Sequence, residues 1–253
     1  MARLQADPLP GLPEVRPGDD LGALLTAAAA RLPGGLADGD VLAVAHKVVS
    51  KAEGRVRALA DVMPGARARA LAAEHGKDPR LVEVILGETA ALVRADRGRL
   101  ICRTHHGFVC ANAGVDASNA TAPDAVVLLP ADPDASARAL RAALRAGLGV
   151  APAVVITDSF GRAWRMGQCE TAIGCAGLAP LDDWRGRADN AGRELTATVI
   201  AVADEAAAAA DLARAKASRE PAVRLRGLAA HVGGDDGPGA AALLRAPEDD
   251  LFA

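Results

Sequence analysis

The apolar positions of this chain come in short blocks, and most of the blocks end on ionisable side chains. Runs rich in β-branched residues that stop at turn signals read as buried strands, and apolar residues recurring every three or four positions read as helices. On that basis residues 1–9 form a first strand, and Asp19 and Asp20 cap an alanine-rich helix over Leu21–Leu32. Val41–Val49 reads as a buried strand running into Ser50-Lys51-Ala52-Glu53-Gly54-Arg55. Two helical patterns fill residues 64–95, with Glu83 and Glu88 on a solvated face. Leu100–Cys110 alternates as a hairpin with His105 and His106 at its turn, and Val126–Pro130 reads as a strand. Asp132, Pro133 and Asp134 then open a capped helix to about Arg145. Val154–Ile156 makes another buried strand, and Leu195–Ala203 a further one that ends in Asp204-Glu205 before a helix to about Lys216. Pro221–Leu228 gives a last strand with Arg224 and Arg226 turned outward, ahead of a glycine-rich tail.

The ends of these strands carry the candidate chemistry. Val154–Ile156 stops in Thr157-Asp158-Ser159-Phe160-Gly161-Arg162-Ala163-Trp164-Arg165. Asp158 and Ser159 offer oxygen ligands to a hard cation, and Arg162 and Arg165 offer forked donors for phosphate or carboxylate oxygens. The turn Gly11-Leu12-Pro13-Glu14-Val15 presents backbone amides to a ligand or to solvent, and Asn112–Asn119 is a loop of small residues with two amides, Asp116 and Ser118. That loop reads equally as an Asx-rich turn. Adjacent histidines on a strand point to opposite faces, which weakens His105 and His106 as a metal pair.

Composition narrows the partners. With 51% apolar residues in 253 the chain has ample material for a core, and no repeat or biased linker divides it. Lys and Arg total 29 against 32 Asp and Glu, a net charge of -3 that gives no reason to expect nucleic acid. Only five aromatics and no tyrosine argue against a base-stacking surface. The longest apolar runs, such as Leu148–Ile156, are too short to cross a membrane. Four cysteines without C-x-x-C spacing, and a start lacking a basic and apolar leader, read as a reducing cytoplasm.

Neither G-x-x-x-x-G-K-[ST] nor G-x-G-x-x-G occurs. A nucleotide would therefore be held by scattered amides, Lys51 and arginines, with a divalent ion bridging its phosphates to carboxylates such as Asp116 and Asp158. Two other classes compete. Cys102 or Cys110 near the histidines suggests a thiol hydrolase, although both fall on the apolar pattern of buried thiols. A non-catalytic binding or scaffold role is the third reading.

Five segments in order carry a resemblance: Gly11–Val15, Val49–Arg55, Gly114–Asn119, Leu129-Pro130 with Asp132-Pro133-Asp134, and Thr157–Arg165 followed by Gly167-Gln168. Together with Ala172-Ile173-Gly174, Gly192-Arg193, Val202–Glu205 and Arg226-Gly227, they resemble the coenzyme F420-0:L-glutamate ligase (F420 γ-glutamyl ligase) family over nearly the whole chain. The resemblance implies an α+β fold of mixed sheets with flanking helices, two-lobed and paired as an intertwined homodimer. Residues 1–253 would be one ligase unit without the flavin reductase-like domain that some members carry after it. The implied activity is GTP-dependent addition of L-glutamate to F420-0, then of further γ-linked glutamates, with Mn2+ or Mg2+ as two ions and with K+. By position, Asp116 and Asp158 become metal ligands and Ser159 a ligand to a second ion. Gly11, Leu12, Pro13, Glu14, His46, Lys51, Asn119 and Lys216 fall on nucleotide-contacting positions. Asp158, Lys51 and Arg162 are the candidate catalytic side chains. His46 stands where relatives commonly have a small hydroxyl residue, and Cys169-Glu170 where Thr-Asp is frequent.

Overall fold

The computed structural model describes residues 3–120, 122–214 and 218–250, so the expected nucleotide contact Lys216 lies outside the described residues. It shows twelve strands and six helices among those residues: β1 (Gln5–Pro8), α1 (Leu21–Ala30), β2 (Val41–Ala45), α2 (His46–Ala52), β3 (Val56–Ala58), α3 (Ala66–His75), α4 (Pro79–Gly87), β4 (Thr89–Asp96), β5 (Arg99–Thr104), β6 (Val109–Ala111), β7 (Ala125–Val127), α5 (Pro133–Leu148), β8 (Ala153–Arg162), β9 (Arg165–Ala176), β10 (Asp182–Asp183), β11 (Val199–Ile200), α6 (Val202–Ala213) and β12 (Ala222–Arg226). The class is α+β, as expected.

The principal sheet has the order β1-β12-β2-β8-β9. Only β2 and β8 run parallel; β1, β12 and β9 join antiparallel. Its two faces are both buried, which is why β2 and β8 read as unbroken apolar runs. On one face Leu42, Val44, Val154 and Ile156 pack with Leu25 and Ala28 of α1 and Leu140 and Leu144 of α5. On the other, Val41, Ala43 and Val155 meet the alanine stripe Ala203, Ala206 and Ala210 of α6. Small side chains let this helix lie close to the sheet. A third cluster gathers Val82 and Ile85 of α4, Ala68 and Ala72 of α3, and Leu100 and Cys102 of β5, beside the three-stranded sheet β4-β5-β6.

Several boundaries move. The apolar run from Val41 stops being a strand at Ala45, because His46 enters a two-turn helix that returns the chain across the sheet end. Residues 89–96, read from their apolar content as the end of a helix, form β4. The glycine-rich span after Ala172 is the buried end of the long strand β9. Of Leu195–Ala203 only Val199 and Ile200 are strand, and Asp204 and Glu205 lie inside the first turn of α6. Asp204 accepts the Ala172 amide of β9, and burial raises its carboxyl above the usual range.

Expected surface charges are often tied down. Arg224 does not face solvent: it is 3% exposed, with its fork on Asp7 and on the Pro33 and Gly35 carbonyls. Arg226 pairs with the buried Asp40 at 2.7 Å. Glu88 holds Arg55 at 2.6 Å, and Glu83 accepts the Gly65 amide. Asp20 caps α1 through the Ala23 amide, whereas Asp19 accepts from Arg16. Asp132 caps α5, but Asp134 reaches across to the Cys175 and Ala240 amides. Arg141 of α5, 5% exposed, spends its donors on Pro152, Gly233, Asp235 and Asp236 and so fastens the tail.

Gly174 marks the closest contact between β9 and α5. A Cβ there would lie 2.4 Å from the Pro133 carbonyl carbon and oxygen, which are backbone and cannot turn aside. Gly174→Ala should cost about 1–3 kcal/mol as overpacking, read as a lower urea midpoint with an unchanged slope.

Candidate functional site

The site is built at one end of the β2–β8 pair. Parallel register sets Ala45 beside Thr157, so the residues that follow, His46 opening α2 and Asp158 still within β8, come side by side. His46 is 2% exposed; its Nε2 lies 3.2 Å from Asp158 Oδ1 without a well-aligned hydrogen bond, and its Nδ1 is 3.2 Å from Ser50 Oγ. The next residue, Lys47, reaches the loop after β6, where its Nζ donates to Asp116 Oδ2 at 2.6 Å and to the Ser118 hydroxyl and carbonyl. Consecutive residues at the start of α2 thus hold one carboxylate each. One turn on, the buried Lys51 donates to Glu14 Oε1 at 2.5 Å, which brings in the Gly11–Val15 turn.

The electrostatics follow from these contacts. Burial works against the charge of Asp116, but the hydrogen bonds from Lys47 and Ser118 outweigh it and hold the carboxyl below its usual range. Burial, with the Asp158 carboxylate beside it, pushes the Cys110 thiol up to about 12. Burial likewise raises Cys102. Such thiols are poor nucleophiles, which removes the chemical support for the thiol hydrolase.

Alternation along β8 separates neighbours. Asp158 and Phe160 face α2 and the β5–β6 hairpin, where Phe160 meets Phe108 edge to face. Thr157 and Ser159 face α6, and the Ser159 hydroxyl donates to Glu170 Oε1 across the β8–β9 pair. Asp158 and Ser159 therefore project from opposite faces of the strand. Arg162 stands apart: four residues beyond Asp158, about 13 Å at strand rise, it donates to the Met166 carbonyl on an exposed hairpin arm that also carries Trp164 and Met166. Asn119 is exposed in the turn after Asp116, with φ 56°, a conformation asparagine tolerates well. Gly11 has φ 71°, and its carbonyl accepts from Arg31.

The donor set suits a hard cation. The side chain of Asp158 is 16% exposed and, apart from Oδ1, offers a second oxygen; Ser159 and Thr157 add hydroxyls, and Thr157 Oγ1 is buried without a hydrogen bond. Asp116 fits on condition that Lys47 yields or shares it. Among the described residues no three His, Cys, Asp or Glu converge as a complete cage, so water and substrate phosphate oxygens would complete the shell, the usual arrangement for Mg2+. His105 and His106 instead contact the carbonyls of Gly87, Pro130 and Ala131.

Reading the sequence missed Lys47 and the pairing of Glu170 with Arg214. Lys47 was hidden in an apolar run taken for strand, although its spacing of four from Lys51 is the signal of a shared helix face. Glu170 and Arg214 meet only in three dimensions, at 3.0 Å.

Comparison with known proteins turns this α+β scaffold with its carboxylate-lined sheet edge into a definite class. The sequence profile of the F420-0:Gamma-glutamyl ligase family matches residues 11–227, and the chain belongs to that family. It is 47% identical over 251 residues to the Coenzyme F420:L-glutamate ligase of Methanopyrus kandleri, covering 98% of this chain and 97% of the relative. The proteins of the same name from Methanothermobacter thermautotrophicus and Haloarcula marismortui are 43% and 42% identical, over 96% and 95% of this chain and 96% and 92% of their own. Among the described residues no helix is long and apolar enough to cross a membrane.

Burial pushes the Cys110 thiol up to about 12, so very little of it is thiolate near neutral pH. Native protein at pH 8 should therefore leave Cys102 and Cys110 unmodified by iodoacetamide over hours while both react in urea, as peptide mass mapping would show.

Proposed function

We propose that this chain is a GTP-dependent amide ligase that joins L-glutamate to F420-0 in F420 biosynthesis and then adds further glutamates through γ-linkages. The observation that carries the reading is the sheet edge at Ala45 and Thr157, where His46–Lys47 lies against Asp158 and Asp116 and Lys51 reaches the Gly11–Glu14 turn. Family membership across residues 11–227 supports it. In this reading Gly11, Leu12, Pro13, Glu14, His46, Lys51, Asn119 and Lys216 contact the nucleotide. Asp116 and Asp158 hold one divalent ion and Ser159 a second. When bound, Mn2+ or Mg2+, with K+ assisting, supplies positive charge against the phosphate oxygens. The working unit is an intertwined homodimer in the cytoplasm.

A carboxylate is a poor electrophile. Its oxygen attacks the γ-phosphorus of GTP, GDP leaves, and an acyl phosphate results. The glutamate amine then attacks the acyl carbon, inorganic phosphate departs, and the amine loses a proton as the amide forms. Lys51, released from Glu14, neutralises phosphate charge that develops beside it. Arg162, out on the hairpin arm, serves the acceptor or phosphate side when the substrates are gathered. Holding three reactants in line contributes up to about 7–11 kcal/mol in well-oriented cases.

Purified protein with GTP, Mn2+, L-glutamate and F420-0 should release GDP and phosphate while mass spectrometry shows the deazaflavin gaining glutamate. Binding of nucleotide or deazaflavin without GTP consumption would favour the non-catalytic reading instead. Transfer of 18O from the acceptor carboxylate into phosphate is expected for the acyl phosphate, and its absence would sink that route. Asp158→Asn should lower kcat at least about 100-fold with an unchanged circular dichroism spectrum.

A further inference from the structure

On the α6 face of the sheet a polar chain runs from Ser159 through Glu170 to Arg214. Ser159 and Glu170 are cross-strand partners, and the Ser159 hydroxyl donates its proton to Glu170 Oε1 at 2.5 Å. Glu170 is 5% exposed, and its other oxygen lies 3.0 Å from Arg214 Nη2 as a charge pair without a well-aligned hydrogen bond. Arg214 follows the last turn of α6; its side chain is 11% exposed and also donates to the Pro221 carbonyl at 3.3 Å, tying that helix end to the start of β12.

Packing alone does not call for these charges. The same face is otherwise lined by Ala172, Val155 and the alanines of α6, with Asp204 accepting the Ala172 amide, and a buried ion pair is often no more stabilising than apolar residues of similar volume. What the pair does accomplish is to fix a hydroxyl. A serine that gives its one proton to a carboxylate keeps only lone pairs for whatever lies on its other side, and it can no longer rotate freely. That is the state a hard cation requires of a hydroxyl ligand, and outer carboxylates that orient ligands in this way set metal affinity. Beside it on the same face, Thr157 Oγ1 is buried with no hydrogen-bond partner, an oxygen with unused capacity next to Ser159.

We propose that Glu170 is a positioning residue that locks the Ser159 hydroxyl into the orientation of a cation ligand, and that Arg214 holds Glu170 in place for it. The inference rests on the reading of Ser159 as a ligand to the second divalent ion, and goes beyond it by assigning two residues that touch neither ion nor substrate.

The test is Mn2+ binding in the presence of GDP, followed by loss of the free Mn2+ electron paramagnetic resonance signal, with no turnover involved. Glu170→Gln should weaken the Ser159-dependent binding about tenfold, Ser159→Ala should weaken it by a similar factor, and the double variant should be no weaker than Ser159→Ala alone. Glu170→Asp, which keeps the charge, should recover much of the loss. Binding by Glu170→Gln within twofold of the parent, or losses that multiply in the double variant, would overturn the proposal. Should Glu170→Gln fail to fold, Arg214→Lys supplies the same cycle: weakening that disappears in a Ser159→Ala background supports the coupling, and unchanged binding overturns it. Failure of the underlying reading looks different. In that case Mn2+ would not bind the parent protein, or would bind it equally well after Asp158→Asn and Ser159→Ala.

Discussion

The parallel pairing of β2 with β8 is the constraint on which the site depends. β2 ends at Ala45 while β8 runs on to Arg162, and their register brings the change from apolar to ionisable residues to the same level in both. Two segments more than a hundred residues apart deliver His46, at the start of α2, and Asp158, within β8, to one place. The pairing is secured by burial on both faces, with Leu42, Val44, Val154 and Ile156 against α1 and α5, and Val41, Ala43 and Val155 against α6. The polar groups at the edge are carried by a rigid support whose stability does not come from them.

Around this support arginines act as clasps for irregular backbone. Arg224 and Arg226 gather the Gly35 turn to the sheet, Arg141 secures the residues after Gly233, and Arg214 joins α6 to β12. Each fork satisfies carbonyls that have no strand or helix to bond them, so loops can pass close to the core without leaving acceptors unpaired. The chain has no tyrosine and five other aromatics; its loops are held by hydrogen bonding more than by large packed rings.

Much of the scaffold was legible because its strands are apolar on both sides and its helices are capped by Asp20 and Asp132. The errors have physical causes. An apolar run says that a segment is buried and not what its backbone does, so the start of α2 was taken for strand. Alternation predicts two faces but not whether one of them is solvent, so Arg224 was placed outside. The positions Asp116, Asp158 and Lys51 could be named from ordered motifs. The clamp of Lys47 on Asp116, the divergence of Asp158 from Ser159 and the chain through Glu170 to Arg214 arise from register and tertiary approach, which no local pattern carries.

The irregularity in the β8–β9 pair has a consequence of its own. Ile156 pairs with Gly174 but Thr157 with Ala172, so Ile173 is an extra residue in β9. Strand faces are a matter of parity, and a single additional residue shifts the phase of everything beyond it as far as the hairpin tip. Were Ile173 instead paired with Thr157 in unbroken register, Glu170 would fall opposite Phe160, among the rings, and Thr171 would stand opposite Ser159. The pairings on the core side, Val154 with Ala176 and Val155 with Cys175, would be untouched. The unpaired Ile173 therefore decides which residues of the outer arm meet Ser159 and Phe160 while the sheet beneath keeps its order, which makes this short stretch the point where the chemistry of the arm is set independently of the fold.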